Sequence, residues 1–300
     1  MRRISLSDKV FDVLNISIMI IVMVVITYPL YFTVIASLSN PYAVYNGQVV
    51  YLIKNFTFEA YTNVFENEEI WRGYYNSFLN TGIVVIYSLA ITIPAAYVMS
   101  RKNFRGKAIF MVFYVVTMYF SGGLIPSYLL IKQLNLIDTR WALIIPAGFS
   151  VYNMIICRTF YQSNIPEELY EAARIDGCGQ FGMFFRIALP LSGAIIAVIA
   201  LFNTVGHWNS YFSALLYIDR QSLFPLQYVL RNILIENEQM EVLTIDSMDA
   251  GIAESALRRR MMAEGMKYSL IFIASAPMLT IYPFVQKYFV KGVMIGALKG

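Results

Sequence analysis

The stretch "EELYEAARIDGCGQFGMFFRIALPLS" runs from Glu167 to Ser192. It is charged and broken by glycines, and it lies between two long apolar stretches. Pro166 suits the first turn of a helix, where no intrahelical N–H is needed. Glu167 and Glu168 then sit at the positive end of that helix dipole. Leu169, Ala172, Ala173 and Asp176 share one side by i, i+3, i+4 spacing. Gly177 and Gly179 permit a sharp turn that a Cβ would hinder. Phe181, Phe184, Phe185 and Ala188 open a second apolar face, and Leu189-Pro190 leads into the next apolar run. The segment therefore reads as helix, turn, helix. Its alanine-rich surface suits either the groove of another protein or, as an amphipathic loop, lipid headgroups.

Its surroundings explain why lipid enters the question. The chain of 300 residues is 58% hydrophobic and 14% charged, with a mean hydropathy of +0.58. Soluble domains carry about 25% charge. A spanning helix needs about 20 mostly apolar residues. Gaps in the charge pattern place spans at about 15–38, 76–99, 108–131, 141–160, 189–211 and 268–289. The expected organisation is a cytoplasmic N-terminus at 1–14, an all-α six-helix transmembrane domain at 15–290 with a loop at 161–188, and a tail at 291–300. The first apolar run is too long for a cleavable signal and reads as a retained anchor. Pro29, Pro94, Pro126, Pro146, Pro277 and Pro283 fall inside spans, where neighbouring helices can satisfy the backbone groups they free.

Basic residues orient the bundle. Arg2, Arg3 and Lys9 precede the first span. Arg101, Lys102, Arg105 and Lys107 fill the loop after the second. Arg158, Arg174 and Arg186 flank or occupy the loop after the fourth, and Lys287, Lys291 and Lys299 follow the sixth. All four regions face one side, which is then cytoplasmic. Both termini and Glu167–Ser192 lie there. Arg258–Arg260 is the exception, in a long outer segment that obeys the rule poorly.

Energy and chemistry are constrained by what the residues omit. The sequence has no G-x-x-x-x-G-K-[ST] phosphate loop. No Asp, Glu or Lys lies deep in a span, where ion-coupled carriers hold their relays. Cys157 and Cys178 form no metal or redox motif. These features weigh against an ion-driven carrier and against a membrane enzyme, and no cofactor or metal is expected. In the fifth span, "FNTVGHWNSYF" places Asn203, Gly206, His207 and Ser210 on one helical face, with Trp208 and Tyr211 beside it. Tyr119 and Asn153 could join them in a pathway for a hydroxylated substrate. For any single one of these residues, polar packing between helices, worth roughly 0.6–2 kcal/mol per bond, is the more economical reading.

Glu171, Ala172, Ala173, Gly177, Ile187, Leu189 and Pro190 together resemble the EAA motif of binding-protein-dependent ABC importer permeases. Every signature position matches in spacing, and Cys178 replaces the alanine that is frequent after the glycine. The tail "YPFVQKYFVKGVMIGALKG" is similar to that of maltose-system-like carbohydrate permeases. The stretch "FSGGLIPSYLLIKQLNLIDTRWALIIPA" is similar to a subgroup importing complex oligosaccharides. The resemblance implies a type I importer permease fold of six helices in the plasma membrane. It implies a second, non-identical permease, two ATPase subunits, an extracellular solute-binding protein, surrounding lipid and a carbohydrate substrate, with no nucleic acid. Glu171, Ala172, Ala173, Asp176, Gly177, Ile187, Leu189 and Pro190 would form the ATPase-coupling loop. The tail Lys291–Gly300 would be a second contact. The segment between Ser213 and Gly265 would face the binding protein.

Overall fold

The structure is a computed structural model and describes residues 6–245, 261–263, 265–281 and 283. All regular structure among the described residues is helical. Two compact units divide the chain. One comprises described residues within Met1–Glu68 and Asn232–Ala276, the other those within Glu69–Arg231 and Pro277–Gly300.

In the first unit, α1 (Leu6–Ser37) is a long apolar helix that keeps Pro29 inside it. Its span-forming stretch has no buried face. The helix therefore offers apolar surface all round, as a lipid- or partner-facing span does. Only its end is packed: Ile35 and Ala36 bury against Ala43, Val44 and Val49. Ala43 and Val44 lie on α2 (Pro41–Tyr45), whose first turn Asn40 caps through its side chain. Next comes α3 (Glu59–Glu66). The Ser269 hydroxyl, in the helical run 265–281, donates to the Ala60 carbonyl at 3.5 Å.

The second unit is organised on α4 (Glu68–Ser100), which contains Pro94 and buries Asn76, Ser77, Asn80, Thr81, Ser88 and Thr92. A polar buried stripe on an otherwise apolar helix marks a face turned towards the bundle interior. The expected continuous helix at 108–131 is two helices, α5 (Lys107–Tyr119) and α6 (Leu124–Gln133), bent by 109°. The break falls between Tyr119 and Leu124, and Pro126 occupies the first turn of α6, where no donor is required. The expected run at 141–160 is also interrupted, into α7 (Trp141–Ile144) and α8 (Val151–Asn164). Ile145 keeps helical dihedrals despite the following Pro146, and helix restarts after Ser150, whose hydroxyl caps α8 by accepting from the Asn153 N–H. This break passes close over α4. A Cβ on Gly148 would lie 2.0 Å from Tyr87 Cε1.

There follow α9 (Glu167–Ile175), α10 (Gln180–Met183), a π-helical turn at Phe184–Ala188 and α11 (Leu189–Leu191). The expected run at 189–211 is α12 (Gly193–Trp208), which meets the Gln180–Leu191 segment at a 76° bend. Helix α13 (Phe212–Tyr217) and a 3₁₀ turn (Gln221–Leu223) lead to α14 (Leu226–Ile245). This helix occupies part of the segment between Ser213 and Gly265. Arg258–Arg260 and the tail Lys291–Gly300 lie outside the described residues, as does most of 282–289.

Candidate functional site

Two places bring the expected site residues together. The first is the segment around α9. At its end Gly177 takes φ +73°. The Gly177 N–H donates to the Arg174 carbonyl at 3.1 Å, and the Cys178 N–H to the Ala173 carbonyl at 2.8 Å. This pair of bonds closes the helix as a Schellman motif. A Cβ on Gly177 would meet nothing within 4 Å. Glycine is therefore needed for the left-handed backbone, not for space.

Helix α9 has an anchored face and a free one. Tyr170 and Ala173 are buried in the core formed with Ile93, Tyr97, Met154 and Met183. Glu171, Ala172 and Asp176 are exposed. Ile175 is 87% exposed and Phe181 83%. This corrects the expectation that Ala172 and Ala173 share one side with Leu169 and Asp176. Ala173 packs inward, while the other three face out. The i, i+3 pair that anchors the helix is Tyr170–Ala173.

The anchor itself includes residues that the motif does not contain. Arg101, just beyond α4, places its guanidinium 3.7 Å from the Tyr170 ring centroid. It also forms a 2.6 Å ion pair with Glu167, with side chains 13% and 27% exposed. One turn of α9 thus presents a carboxylate and a ring to a single cation. Burial pushes the Tyr170 phenol up to about 12, so it stays neutral. Arg158 Nε donates to the Met99 carbonyl at 3.1 Å and Gln162 Nε2 to the Ser100 carbonyl at 3.4 Å. These contacts satisfy carbonyls that the end of a helix leaves free. Nothing local in the sequence pairs Arg101 with residues so far along the chain, so this clamp was not legible there.

Past the turn, Ile187 and Leu189 are half-buried against the same core and Pro190 is exposed. Pro190 has no N–H to offer the carbonyl four residues back and displaces it sterically. The π-turn immediately precedes it, an irregularity frequent at functional sites. The Ser192 hydroxyl donates to the Tyr161 hydroxyl at 2.9 Å and also reaches the Ala188 carbonyl. It ties the bend to α8.

The second place is a cavity of ≈ 310 Å³. Phe202, Asn203, Gly206 and His207 of α12 line it, with Ser210, Ser213 and Pro146. Its volume lies at the lower end of the roughly 300–1,000 Å³ of small-molecule sites. No lining residue is Asp, Glu, Lys or Arg. An amide, an imidazole and two hydroxyls beside apolar walls can exchange hydrogen bonds with a neutral polyol. Asn203 and His207 line the cavity from α12, whereas Ser210 joins them from just past the helix end and not from the expected helical face.

The remaining pathway candidates stand elsewhere. Trp208 is 2% exposed and packs at 4.9 Å from Phe78 and 6.1 Å from Tyr74 between ring centroids. It is a core residue of the bundle, because its neighbours on α4 cover it. Tyr119 is exposed at the end of α5. Asn153 is buried in the first turn of α8. Tyr211 lies near Arg231, whose guanidinium is 5.6 Å from its ring centroid.

Sequence reading also missed the opposite wall. Ser77, Asn80 and Thr81 of α4 form a narrow cleft with His207, Ser210 and Ser213. Arg140 donates to Asn76 Oδ1 at 2.7 Å and to Asn80 Oδ1 at 3.2 Å. Asn76 Nδ2 donates in turn to the Ser222 and Phe224 carbonyls, both at 2.9 Å. The signal available was the repeat of small polar residues along 76–92, which hydropathy averaging conceals.

Residues 70–295 match the family model described as binding-protein-dependent transport system inner membrane component. Protein LplC of Bacillus subtilis (strain 168) is 37% identical over 98% of this chain and 96% of its own length. The polygalacturonan/rhamnogalacturonan transport system permease protein YtcP of the same organism is 34% identical over 98% of this chain and all of its own. Among solved structures, a chain of a bacterial ABC transporter involved in import of the acidic polysaccharide alginate superposes with a TM-score of 0.84. It is 28% identical and covers 96% of this chain and 100% of its own. With its apolar helices and a family match that takes in both the α9 turn and the cavity, this chain belongs to the binding-protein-dependent transport system inner membrane components.

Proposed function

We propose that this chain is one permease of an ATP-driven importer of a saccharide, paired with a second, non-identical permease, two ATPase subunits and an extracellular binding protein. Relatives named for polygalacturonan and rhamnogalacturonan, for arabinooligosaccharides and for melibiose, raffinose and stachyose support a carbohydrate cargo. The uncharged polar cavity is chemically suited to one.

The observation that carries the coupling role is the free face of α9. Large apolar side chains stand almost fully exposed at Ile175, which ends α9, and at Phe181 of α10, while the other face of α9 is pinned. An exposed apolar patch rimmed by charge marks a protein contact. In this reading both termini and 161–188 are cytoplasmic, and the ATPase grips Glu171, Ala172 and Asp176. Gly177, Ile187, Leu189 and Pro190 carry its movement through the Ser192 bend into α12. Asn203, His207 and Ser210 meet the cargo towards the outer end of the bundle.

The test is Gly177→Trp in the assembled importer. A side chain at φ +73° strains the turn. The expected outcome is ATP hydrolysis without saccharide uptake, from a complex that still reaches the membrane. Normal coupled uptake would refute the role. Co-purification in mild detergent should also bring down two ATPase chains and one unlike permease.

A further inference from the structure

The cleft on α4 contains two polar atoms that the bundle leaves unused. Asn80 is 1% exposed and Thr81 5%. Asn80 Nδ2 and Thr81 Oγ1 have no hydrogen-bond partner among the described residues. Buried polar groups of this kind are rare, because each forfeits its hydration without recompense. Both residues line the cleft, and the cleft shares His207, Ser210 and Ser213 with the larger cavity.

The orientation of Asn80 is fixed from behind. Its Oδ1 accepts from Arg140 Nη1 at 3.2 Å. Arginine can only donate, so it selects the carbonyl end of the amide and turns the NH₂ away. Arg140 itself is held through Asn76, which is tied to the Ser222 and Phe224 carbonyls. The cleft therefore presents an oriented N–H donor next to a hydroxyl that can donate or accept. Its volume is ≈ 10 Å³, about the space of a single water. The cleft cannot admit a ring; it admits one oxygen.

We infer that Asn80 and Thr81 form an oxygen-reading subsite of the cavity. They accept one hydroxyl or carboxylate oxygen of a sugar unit seated beside His207, in place of a water, and Arg140 acts as the positioning residue behind Asn80. This rests on the saccharide-import reading. Recognition by a narrow polar cleft discriminates strongly, because a ligand lacking the oxygen leaves buried donors unpaired.

The experiment uses the full importer with its binding protein in proteoliposomes. The probes are radiolabelled arabinotriose, raffinose and trigalacturonate, with their monodeoxy analogues and the carboxyl-reduced trigalacturonate. For whichever parent enters, the wild type should import one analogue more slowly, by roughly 3- to 10-fold, the span of one hydrogen bond. Thr81→Val is close in shape and removes only the hydroxyl. It should bring the parent down to the rate of that analogue and leave the analogue unchanged, while Thr81→Ser restores the difference. A deoxy analogue behaving this way identifies a hydroxyl; the carboxyl-reduced one identifies a carboxylate. Equal slowing of parent and analogues by Thr81→Val, or no change in any, overturns the subsite and leaves the import reading standing. Failure of the wild type to import any of the three overturns both.

Discussion

At the end of α4, the α9 segment is fastened by Arg101, by a buried ring and by a glycine turn. Farther along the same helix, the cavity wall is fastened by Arg140 through two asparagines. Both regions use one arginine to hold a polar group that would otherwise be free. They differ in what is left over. Around α9 the large apolar side chains Ile175 and Phe181 stand exposed, and the hydroxyls without a hydrogen-bond partner among the described residues, those of Tyr97 and Tyr170, are enclosed in the core. At the cavity the unpartnered Asn80 Nδ2 and Thr81 Oγ1 line a cleft that shares His207, Ser210 and Ser213 with it.

Removing the two arginines sharpens that contrast. Arg101→Ala takes away a partly buried ion pair and a stacked cation at once. We expect it to cost about 1–2 kcal/mol of α9 docking, a factor of roughly 5–30 in the docked population. Uptake should fall by a similar factor while ATP hydrolysis persists. Measuring both in proteoliposomes checks this, and equal loss of the two activities would argue for simple misassembly. Arg140→Met should act on stability and selectivity instead. It leaves Asn76 Oδ1 and Asn80 Oδ1 buried without their donor, at about 1–3 kcal/mol. A lower unfolding temperature in detergent, with hydrolysis still coupled to the remaining uptake, is the expected pattern.

Gly148→Ala probes the cavity from the side of the helix break. The added methyl requires the Tyr87 ring to move, an overpacking cost of typically 1–3 kcal/mol. Because the ring can swing partly outwards, the lower end is expected. The readout is a modest fall in unfolding temperature with narrowed acceptance of larger oligosaccharides.

The smallest effect belongs to Asp138 and Arg220. Hydrogen bonds from the Arg220 and Asp219 backbone N–H groups, together with the Arg220 side chain at 2.6 Å, hold the partly exposed Asp138 carboxyl below its ordinary range. A depressed carboxyl stabilises the fold above its unfolded value and loses that contribution as pH falls through its folded value. Wild type and Asp138→Asn should therefore differ slightly in unfolding temperature at neutral pH and converge in acid. A difference that grows on acidification would contradict the assignment.

These contrasts also explain what the sequence could disclose. The α9 turn was legible because its requirements are local: acidic residues in a first turn, a glycine where the helix must reverse, and a proline before the next helix. The cavity was half legible. Asn203, His207 and Ser210 share a helical period, but Asn80 and Thr81 come from a helix far away in the chain and only packing unites them. Trp208 looked equivalent to its neighbours in sequence, and the aromatic residues of α4 decided its burial. The apolar runs at 108–131, 141–160 and 189–211 read as continuous spans, and each is broken, by backbone at 120–123, 145–150 and 192, where hydropathy carries no signal.

Force transmission through α9 is tested most directly by Ala172→Cys in a Cys178→Ser background, with Cys157 left buried. A cross-linker should join the introduced thiol to the ATPase on the cytoplasmic side, and the link should stop uptake in a nucleotide-dependent way. Reaction of that thiol with a membrane-impermeant reagent added from outside intact cells would contradict it.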